Sequence, residues 1–133
     1  MSRICLDTCA YSQFKRGHGP AVEAIRTARE VLVPVVTLGE LRTGFLLGSQ
    51  AARNEAELKA FLAHPLVRVL EVDEEASCLY AELVTDLRRR GSPTPTNDLW
   101  IATLAAREGA SVLTYDAHFG QIRRIGVILL ARE

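Results

Sequence analysis

The sequence is poor in cysteine and has no long apolar run. Its three cysteines, Cys5, Cys9 and Cys78, form no CxxC pair, which argues against a disulfide framework or a cysteine-based zinc site. No segment approaches the roughly 18 consecutive apolar residues that a membrane-spanning helix needs. The first residues also lack the apolar core of a signal peptide. We therefore expect a cytoplasmic protein without a membrane partner, in which Cys5 and Cys78 are small buried side chains.

Lysine is also scarce, although the overall charge is balanced. The chain has 16 basic and 16 acidic residues, whereas a nucleic-acid-binding protein usually has a basic excess. Only Lys15 and Lys59 are lysines, so nearly all basic residues are arginine, which forms bidentate pairs with phosphate. If four of the acids bind cations, 12 acidic residues remain against 16 basic ones. The composition is therefore compatible with an RNA partner.

Strand and helix patterns alternate along the 133 residues, which we interpret as one domain spanning 1–133. The predicted strands cover residues 3–6, 31–36, 66–72, 111–115 and 127–130. The predicted helices cover residues 8–15, 20–28, 37–47, 51–63, 73–90, 97–108 and 117–122, with Thr37, Asp73 and Thr96 as caps. This alternation predicts an α/β fold, with a mainly parallel sheet and helices on both faces.

Four acidic residues lie at predicted strand-to-helix junctions or in the turns beside them: Asp7, Glu40, Asp98 and Asp116. In a parallel sheet all four project over one edge, where ligands bind. Clustered carboxylates persist only with a cation or retained protons, and all-oxygen ligands select Mg²⁺ or Mn²⁺. A hard cation held this way binds phosphate oxygens and lowers the pKa of a bound water. The four acids are therefore our candidate catalytic and metal-binding residues for phosphodiester hydrolysis.

Each acid also has a purely structural interpretation. Asp7 and Asp116 can cap a helix or a turn, and Asp98 suits the positive end of a helix dipole. Glu40 is harder to explain in this way because its neighbours are apolar, and an unpaired carboxylate there would be unfavourable. The joint placement of the four carries more weight than any one of them.

Neutral polar residues flank these acids. We predict that Thr8, Asn97 and Thr114 support the site, with Thr114 hydrogen-bonded to a carboxylate and Thr8 orienting a ligand water. His118 has two interpretations, either packing beside Phe119 or meeting a phosphate and transferring a proton.

The blocks that contain these residues resemble the PIN-domain ribonucleases. They are Asp7-Thr8, Thr37-Leu38-Gly39-Glu40-Leu41 with Gly44, Asn97-Asp98-Leu99-Trp100-Ile101-Ala102, and Thr114-Tyr115-Asp116-Ala117-His118-Phe119. The length, and the arginine-rich helix end before Gly91-Ser92-Pro93, resemble the VapC toxins of type II VapBC toxin–antitoxin systems. The resemblance covers essentially the whole chain.

The resemblance implies a three-layer α/β/α fold with four or five strands. It implies Mg²⁺- or Mn²⁺-dependent endoribonuclease activity that leaves a 5′-phosphate and a 3′-hydroxyl, with Asp7, Glu40, Asp98 and Asp116 as the metal-binding acids. It also implies a toxin that inhibits translation or growth by hydrolysing RNA. Its expected partners are a second copy of the chain and a VapB-like antitoxin, in a heterotetramer or larger assembly that meets DNA only through the antitoxin.

Six arginines are candidates for contacts with the RNA backbone: Arg42, Arg88, Arg89, Arg90, Arg123 and Arg124. Residues 88–90 have an alternative interpretation, because basic side chains also stabilise the carboxyl end of a helix without any ligand.

Rival families fit the residues less well. A receiver-like phosphoacceptor domain needs paired acids after the first strand, and a haloacid-dehalogenase-type phosphatase needs an aspartate where Cys9 stands. A PIN-like binding module without catalysis would share this fold and these partners. A DNA nuclease would share the site chemistry, but it usually carries longer helical arches than 133 residues allow.

Overall fold

The computed structural model describes residues 2–131, which form an α/β fold around one five-stranded sheet. The strands are β1 (Arg3–Leu6), β2 (Glu30–Pro34), β3 (Val67–Leu70), β4 (Ser111–Thr114) and β5 (Gly126–Leu129). The helices are α1 (Thr8–Lys15), α2 (Gly19–Thr27), α3 (Val35–Leu47), α4 (Ala51–Leu62), α5 (Glu74–Arg89) and α6 (Thr96–Glu108). A short 3₁₀ helix, Ala117–Gln121, joins β4 to β5. No described helix is long and apolar enough to cross a membrane.

All strand pairs are parallel, and the strand order is β3-β2-β1-β4-β5. The chain builds outward from β1 on one side through β2 and β3, and then returns to place β4 and β5 on the other side. Adjacent strands whose connections leave in opposite directions open a crevice at their carboxyl ends. The junction of β1 and β4 is therefore the expected ligand site of this sheet.

Alternating side chains of the strands point into two separate cores. Ile4 and Leu6 of β1 pack with residues of α1, α2, α3 and α4 on one face. Cys5, between them, is fully buried among residues of α5 and α6 on the other face. Period-two alternation thus converts one short strand into the shared wall of two apolar layers, which confirms the predicted three-layer architecture.

The boundary between β2 and α3 differs from its prediction. The strand predicted over residues 31–36 ends at Pro34, and α3 begins at Val35. Pro34 has φ −59°, has no backbone N–H to continue the ladder, and stands before the helix as its N-cap. Thr37 is therefore not a cap but a fully buried residue within α3, where its hydroxyl donates to the carbonyl of Leu6 at 2.9 Å.

Other predictions hold with small shifts. Asp73 caps α5 by accepting from the backbone N–H of Ala76 at 2.9 Å, as expected. Gly109 ends α6 in the left-handed conformation (φ 65°), which glycine adopts without strain. Thr96 is the first residue of α6 and Pro95 the cap. The prediction that Cys78 is buried was wrong, because its side chain lies on the exposed face of α5.

Candidate active site

Asp7 is the most constrained of the four acids. It directly follows the central strand β1, is 6% exposed, and caps α1 by accepting from the backbone N–H of Ala10 at 2.8 Å. Its second carboxylate oxygen accepts from the hydroxyl of Thr114, at the end of the neighbouring strand β4, at 2.5 Å. The capping interpretation of Asp7 is therefore confirmed, and the role of Asp7 as a metal ligand stays a prediction.

Thr114 joins Asp7 to Asp116. Its buried hydroxyl donates to Asp7 and also accepts from the backbone N–H of Asp116 at 2.9 Å. Asp116 then caps the 3₁₀ helix by accepting from the backbone N–H of His118 at 3.1 Å. One hydroxyl thus positions two acids across the β1–β4 crevice.

Glu40 reaches the same edge from α3. It lies in the second turn of that helix, not the first turn as predicted, because α3 starts two residues earlier. Its carboxylate is half-buried and accepts from the Thr8 hydroxyl at 2.6 Å and from the Asn97 amide at 3.3 Å. The predicted supporting residues Thr8 and Asn97 therefore contact an acid directly.

Asp98, in the first turn of α6, meets Asp116 through a shared histidine. Nε2 of the His118 ring hydrogen-bonds to Asp98 at 2.8 Å, and Nδ1 lies 2.5 Å from an oxygen of Asp116. The His118 ring also stacks on Phe119, with centroids 5.2 Å apart and planes 16° from parallel. The packing of His118 beside Phe119 is confirmed, whereas its contact with a phosphate or its transfer of a proton stays a prediction.

The four acids form one electrostatic unit. Burial raises the pKa of Asp7, and the charges of Asp98 and Asp116 raise it further, against the lowering effect of its two hydrogen bonds. Burial also raises the pKa of Asp98, with Glu40 and Asp116 adding to the rise and His118 opposing it. Within residues 2–131, no lysine or arginine pairs with any of the four.

This donor set fits a divalent cation. Three groups, Asp98, Asp116 and His118, offer ligand atoms that all lie within 4.8 Å of one another. Carboxylates that share a site without a lysine or arginine partner repel each other, and a cation removes that repulsion.

The comparisons with known proteins agree with this geometry. The PIN domain family model matches residues 4–125. A Mycobacterium tuberculosis protein named Ribonuclease VapC4 is 38% identical over 101 residues, which cover 74% of this chain and 75% of that protein. The chain belongs to the VapC family of PIN-domain proteins.

Solved VapBC structures share its fold. VapBC-5 from Mycobacterium tuberculosis, a member of the VapBC family of toxin–antitoxin systems, is 30% identical to this PIN domain. Its TM-score is 0.75, and the match covers 98% of this chain and 100% of that one. VapBC2 from Rickettsia felis, bound to a DNA fragment from its promoter, has a TM-score of 0.81 at 21% identity, covering 96% and 98%. At 21% identity, the match to the Rickettsia felis structure shows a shared fold only.

Most of the candidate arginines of this PIN domain have acidic partners. Arg42 pairs with Glu55 at 2.8 Å. Arg90, Arg123 and Arg124 pair with acids of α5 at 2.8, 3.7 and 2.8 Å. Within the part of the chain that the structure describes, Arg88 and Arg89 have no acidic partner. These two are therefore the candidates with a guanidinium available for a ligand.

Sequence reasoning missed two contacts in the PIN domain's site. Thr37 ties α3 to the end of β1, immediately before Asp7, and it was assigned to a cap because the preceding valines favour a strand. The sequence suggests packing, phosphate contact or proton transfer for His118, but it does not predict the bridge between Asp98 and Asp116. The sequence places His118 two residues after Asp116, and this spacing is its only indication that the two side chains are near each other.

Proposed function

We propose that this PIN domain is a divalent-metal-dependent endoribonuclease and the toxin of a VapBC-type toxin–antitoxin pair. One observation carries the proposal: four acids converge at the carboxyl edge of β1 and β4, and no lysine or arginine among the described residues pairs with them. Asp7, Glu40, Asp98 and Asp116 would hold Mg²⁺ or Mn²⁺. When bound, such a cation binds the phosphate oxygens of RNA and lowers the pKa of a water molecule.

The protein's own contribution is to hold the acids in place before the substrate arrives. Thr114 and the backbone N–H of Ala10 fix both oxygens of Asp7. Thr8 and Asn97 fix both oxygens of Glu40. Ligands oriented by such hydrogen bonds need little reorganisation when a cation binds, which is how an outer layer of contacts raises metal affinity.

The proposed partners follow from the relatives. Solved relatives of this fold are VapBC complexes, so we propose a VapB-like antitoxin that restrains the toxin, and a homodimer that joins a heterotetramer or larger assembly. The proposed contact with DNA is through the antitoxin, and solved VapBC complexes of this fold bound to DNA support it.

The direct test incubates the purified chain, free of antitoxin, with total bacterial RNA in Mg²⁺, in Mn²⁺ and in EDTA. Discrete fragments with a 5′-phosphate and a 3′-hydroxyl, absent in EDTA, are the expected result. Cleavage that persists in EDTA would contradict the metal-dependent mechanism. If the folded chain neither cleaved RNA nor bound a cation, a binding module without catalysis would be favoured instead.

Saturating Mg²⁺ or Mn²⁺ is expected to raise the melting temperature. A ligand at a hundred times its Kd stabilises the native state by about 2.7 kcal/mol, which corresponds to roughly 8–10 °C for a domain of this size. Differential scanning fluorimetry with and without EDTA measures the shift. Asp98→Asn should lose most of it, and an equal shift in that variant would place the cation elsewhere.

In the metal-free protein, Asp98→Asn should increase the stability of the fold at neutral pH. The pKa of Asp98 is raised in the fold, so the native state holds this proton more tightly than the unfolded chain does. Ionisation therefore destabilises the fold as pH rises above the ordinary aspartate pKa of 3.8. In EDTA, the stability of Asp98→Asn relative to the wild type should rise between pH 4 and pH 7. A difference that stays flat would contradict this.

Arg88 is expected to contribute to RNA binding. It lies near the carboxyl end of α5 and borders a surface cavity with Thr94 and Thr96, at the start of the helix that carries Asp98. In an Asp98→Asn background that prevents cleavage, Arg88→Gln should weaken RNA binding a few-fold. Each lost phosphate contact also reduces the slope of log K against log salt by about 0.7.

Arg29→Gln is the matched control for that measurement. Arg29 is also exposed and has no acidic partner in the described chain, but it precedes β2 at the amino edge of the sheet, opposite the acids. Fluorescence anisotropy with labelled single-stranded RNA compares the two. Equal losses would indicate a general effect of charge and not a contact at Arg88.

A further inference from the structure

Both ring nitrogens of His118 lie close to carboxylates of the site. Nε2 lies 2.8 Å from an oxygen of Asp98, and Nδ1 lies 2.5 Å from an oxygen of Asp116. The side chain bridges two different elements, α6 and the 3₁₀ helix. A histidine that served only to pack on Phe119 would not need both contacts.

Two further contacts fix the orientation of the His118 ring: stacking on Phe119 and a hydrogen bond from its own backbone to Asp116. Phe119, which is 1% exposed, stacks on the ring face and anchors it in the core around α5 and α6. The backbone N–H of His118 donates to the same Asp116 oxygen that Nδ1 contacts. The imidazole is therefore held at the acids with little freedom to swing into solvent.

The spacing of these groups is close to that of ligands around one cation. The ligand atoms of Asp98, Asp116 and His118 lie within 4.8 Å of one another, and opposite ligands at bond lengths of about 2.1 Å stand about 4.2 Å apart. A nitrogen that binds a metal cannot also donate to a carboxylate. Binding of a metal by Nε2 would thus replace the hydrogen bond to Asp98 with a metal–nitrogen bond, while the close contact of Nδ1 with Asp116 keeps the ring oriented.

We propose that His118 is a nitrogen ligand of the cation held by Asp98 and Asp116, and that it makes this site prefer Mn²⁺ over Mg²⁺. The inference rests on the proposed metal-dependent function and specifies its cation. Mg²⁺ binds almost entirely through oxygen, whereas the later divalent metals accept imidazole readily. A nitrogen ligand in place of an oxygen ligand therefore shifts the preference of the site from Mg²⁺ towards Mn²⁺, and the charge of the four acids stays the same.

The test is pulsed electron paramagnetic resonance of the wild-type chain loaded with Mn²⁺ alone. A metal-bound imidazole gives an electron spin-echo modulation from its ¹⁴N nucleus. Labelling the histidines with ¹⁵N should replace the ¹⁴N modulation with that of ¹⁵N. The ¹⁴N modulation is expected in the wild type and in His64→Asn, a control at an exposed histidine at the end of α4. It should disappear in His118→Asn, or in His118→Gln if the first variant does not fold.

Calorimetric titrations with Mn²⁺ and with Mg²⁺ measure the preference of the site for one cation over the other. In His118→Asn the affinity for Mn²⁺ should fall roughly 10- to 100-fold, while the affinity for Mg²⁺ changes less than about threefold. Equal losses for both cations would overturn the inference, since His118 would then act only by positioning Asp98 and Asp116. A wild-type protein that binds Mn²⁺ without ¹⁴N modulation would also overturn it and leave the nuclease proposal standing. Failure to bind either cation would refute both.

Discussion

Asp98→Asn is expected to lower RNA cleavage at least about a thousandfold, equal to roughly 4 kcal/mol of activation free energy. The substitution keeps the shape of the side chain and removes its negative charge from the cation site. The fold should survive, because Asp98 is half-buried and lies outside the apolar core, in the first turn of α6. Single-turnover cleavage of a mapped RNA substrate measures the loss.

Asp98 is a better choice for this experiment than Asp7. One oxygen of Asp7 accepts a hydrogen bond from Thr114, and an asparagine NH₂ group at that position would face the hydroxyl donor. Asp7→Asn would therefore change the hydrogen bonding of a buried group as well as its charge. A loss of activity there would mix a structural defect with a chemical one.

Glu75→Gln is the matched control for Asp98→Asn. Glu75 is an exposed acid in the first turn of α5, as Asp98 is in the first turn of α6, so both substitutions remove a similar favourable interaction with a helix dipole. The control should cleave at the wild-type rate. If Asp98→Asn retained activity within about threefold of Glu75→Gln, the metal-dependent mechanism at this edge would be wrong.

The sheet and most of its helices could be predicted because their signals are local. The amphipathic repeat of α5 and the turn residues around it fix that helix in sequence, and its cap was confirmed at Asp73. The start of α3 could not be predicted in the same way. Val35 and Val36 favour a strand by their β-branched side chains, but tertiary packing and Pro34 place them in the helix.

The approach of the four acids to one edge also followed from sequence, because parallel strands present their carboxyl ends together. The hydrogen bond of Thr114 to a carboxylate was also predicted, but the partners of Glu40 were not. The contact of Thr8 with Glu40 joins α1 to α3, and that of Asn97 with Glu40 joins α6 to α3. Such pairs depend on how two helices sit over the sheet, and neither helix carries that information in its own pattern.

Thr114→Val is expected to reduce both activity and stability. Valine keeps the shape of threonine but lacks the hydroxyl that donates to Asp7 and accepts from the backbone N–H of Asp116. Loss of an outer contact to a metal-binding acid typically lowers metal affinity or activity about 10- to 100-fold. The Asp7 oxygen left without its partner in a buried site should lower the free energy of unfolding by roughly 1–3 kcal/mol.

Two further variants separate the hydroxyl's role from that of packing. Thr114→Ser keeps the hydroxyl and loses a buried methyl group, so it should be destabilised by about 1 kcal/mol and still cleave RNA near the wild-type rate. Thr103→Val removes another fully buried hydroxyl, which donates at 2.7 Å to the Leu99 carbonyl within α6 and touches no acid of the site. It should leave cleavage unchanged. If Thr114→Ser lost as much activity as Thr114→Val, the methyl group and not the bond to Asp7 would be what the site requires.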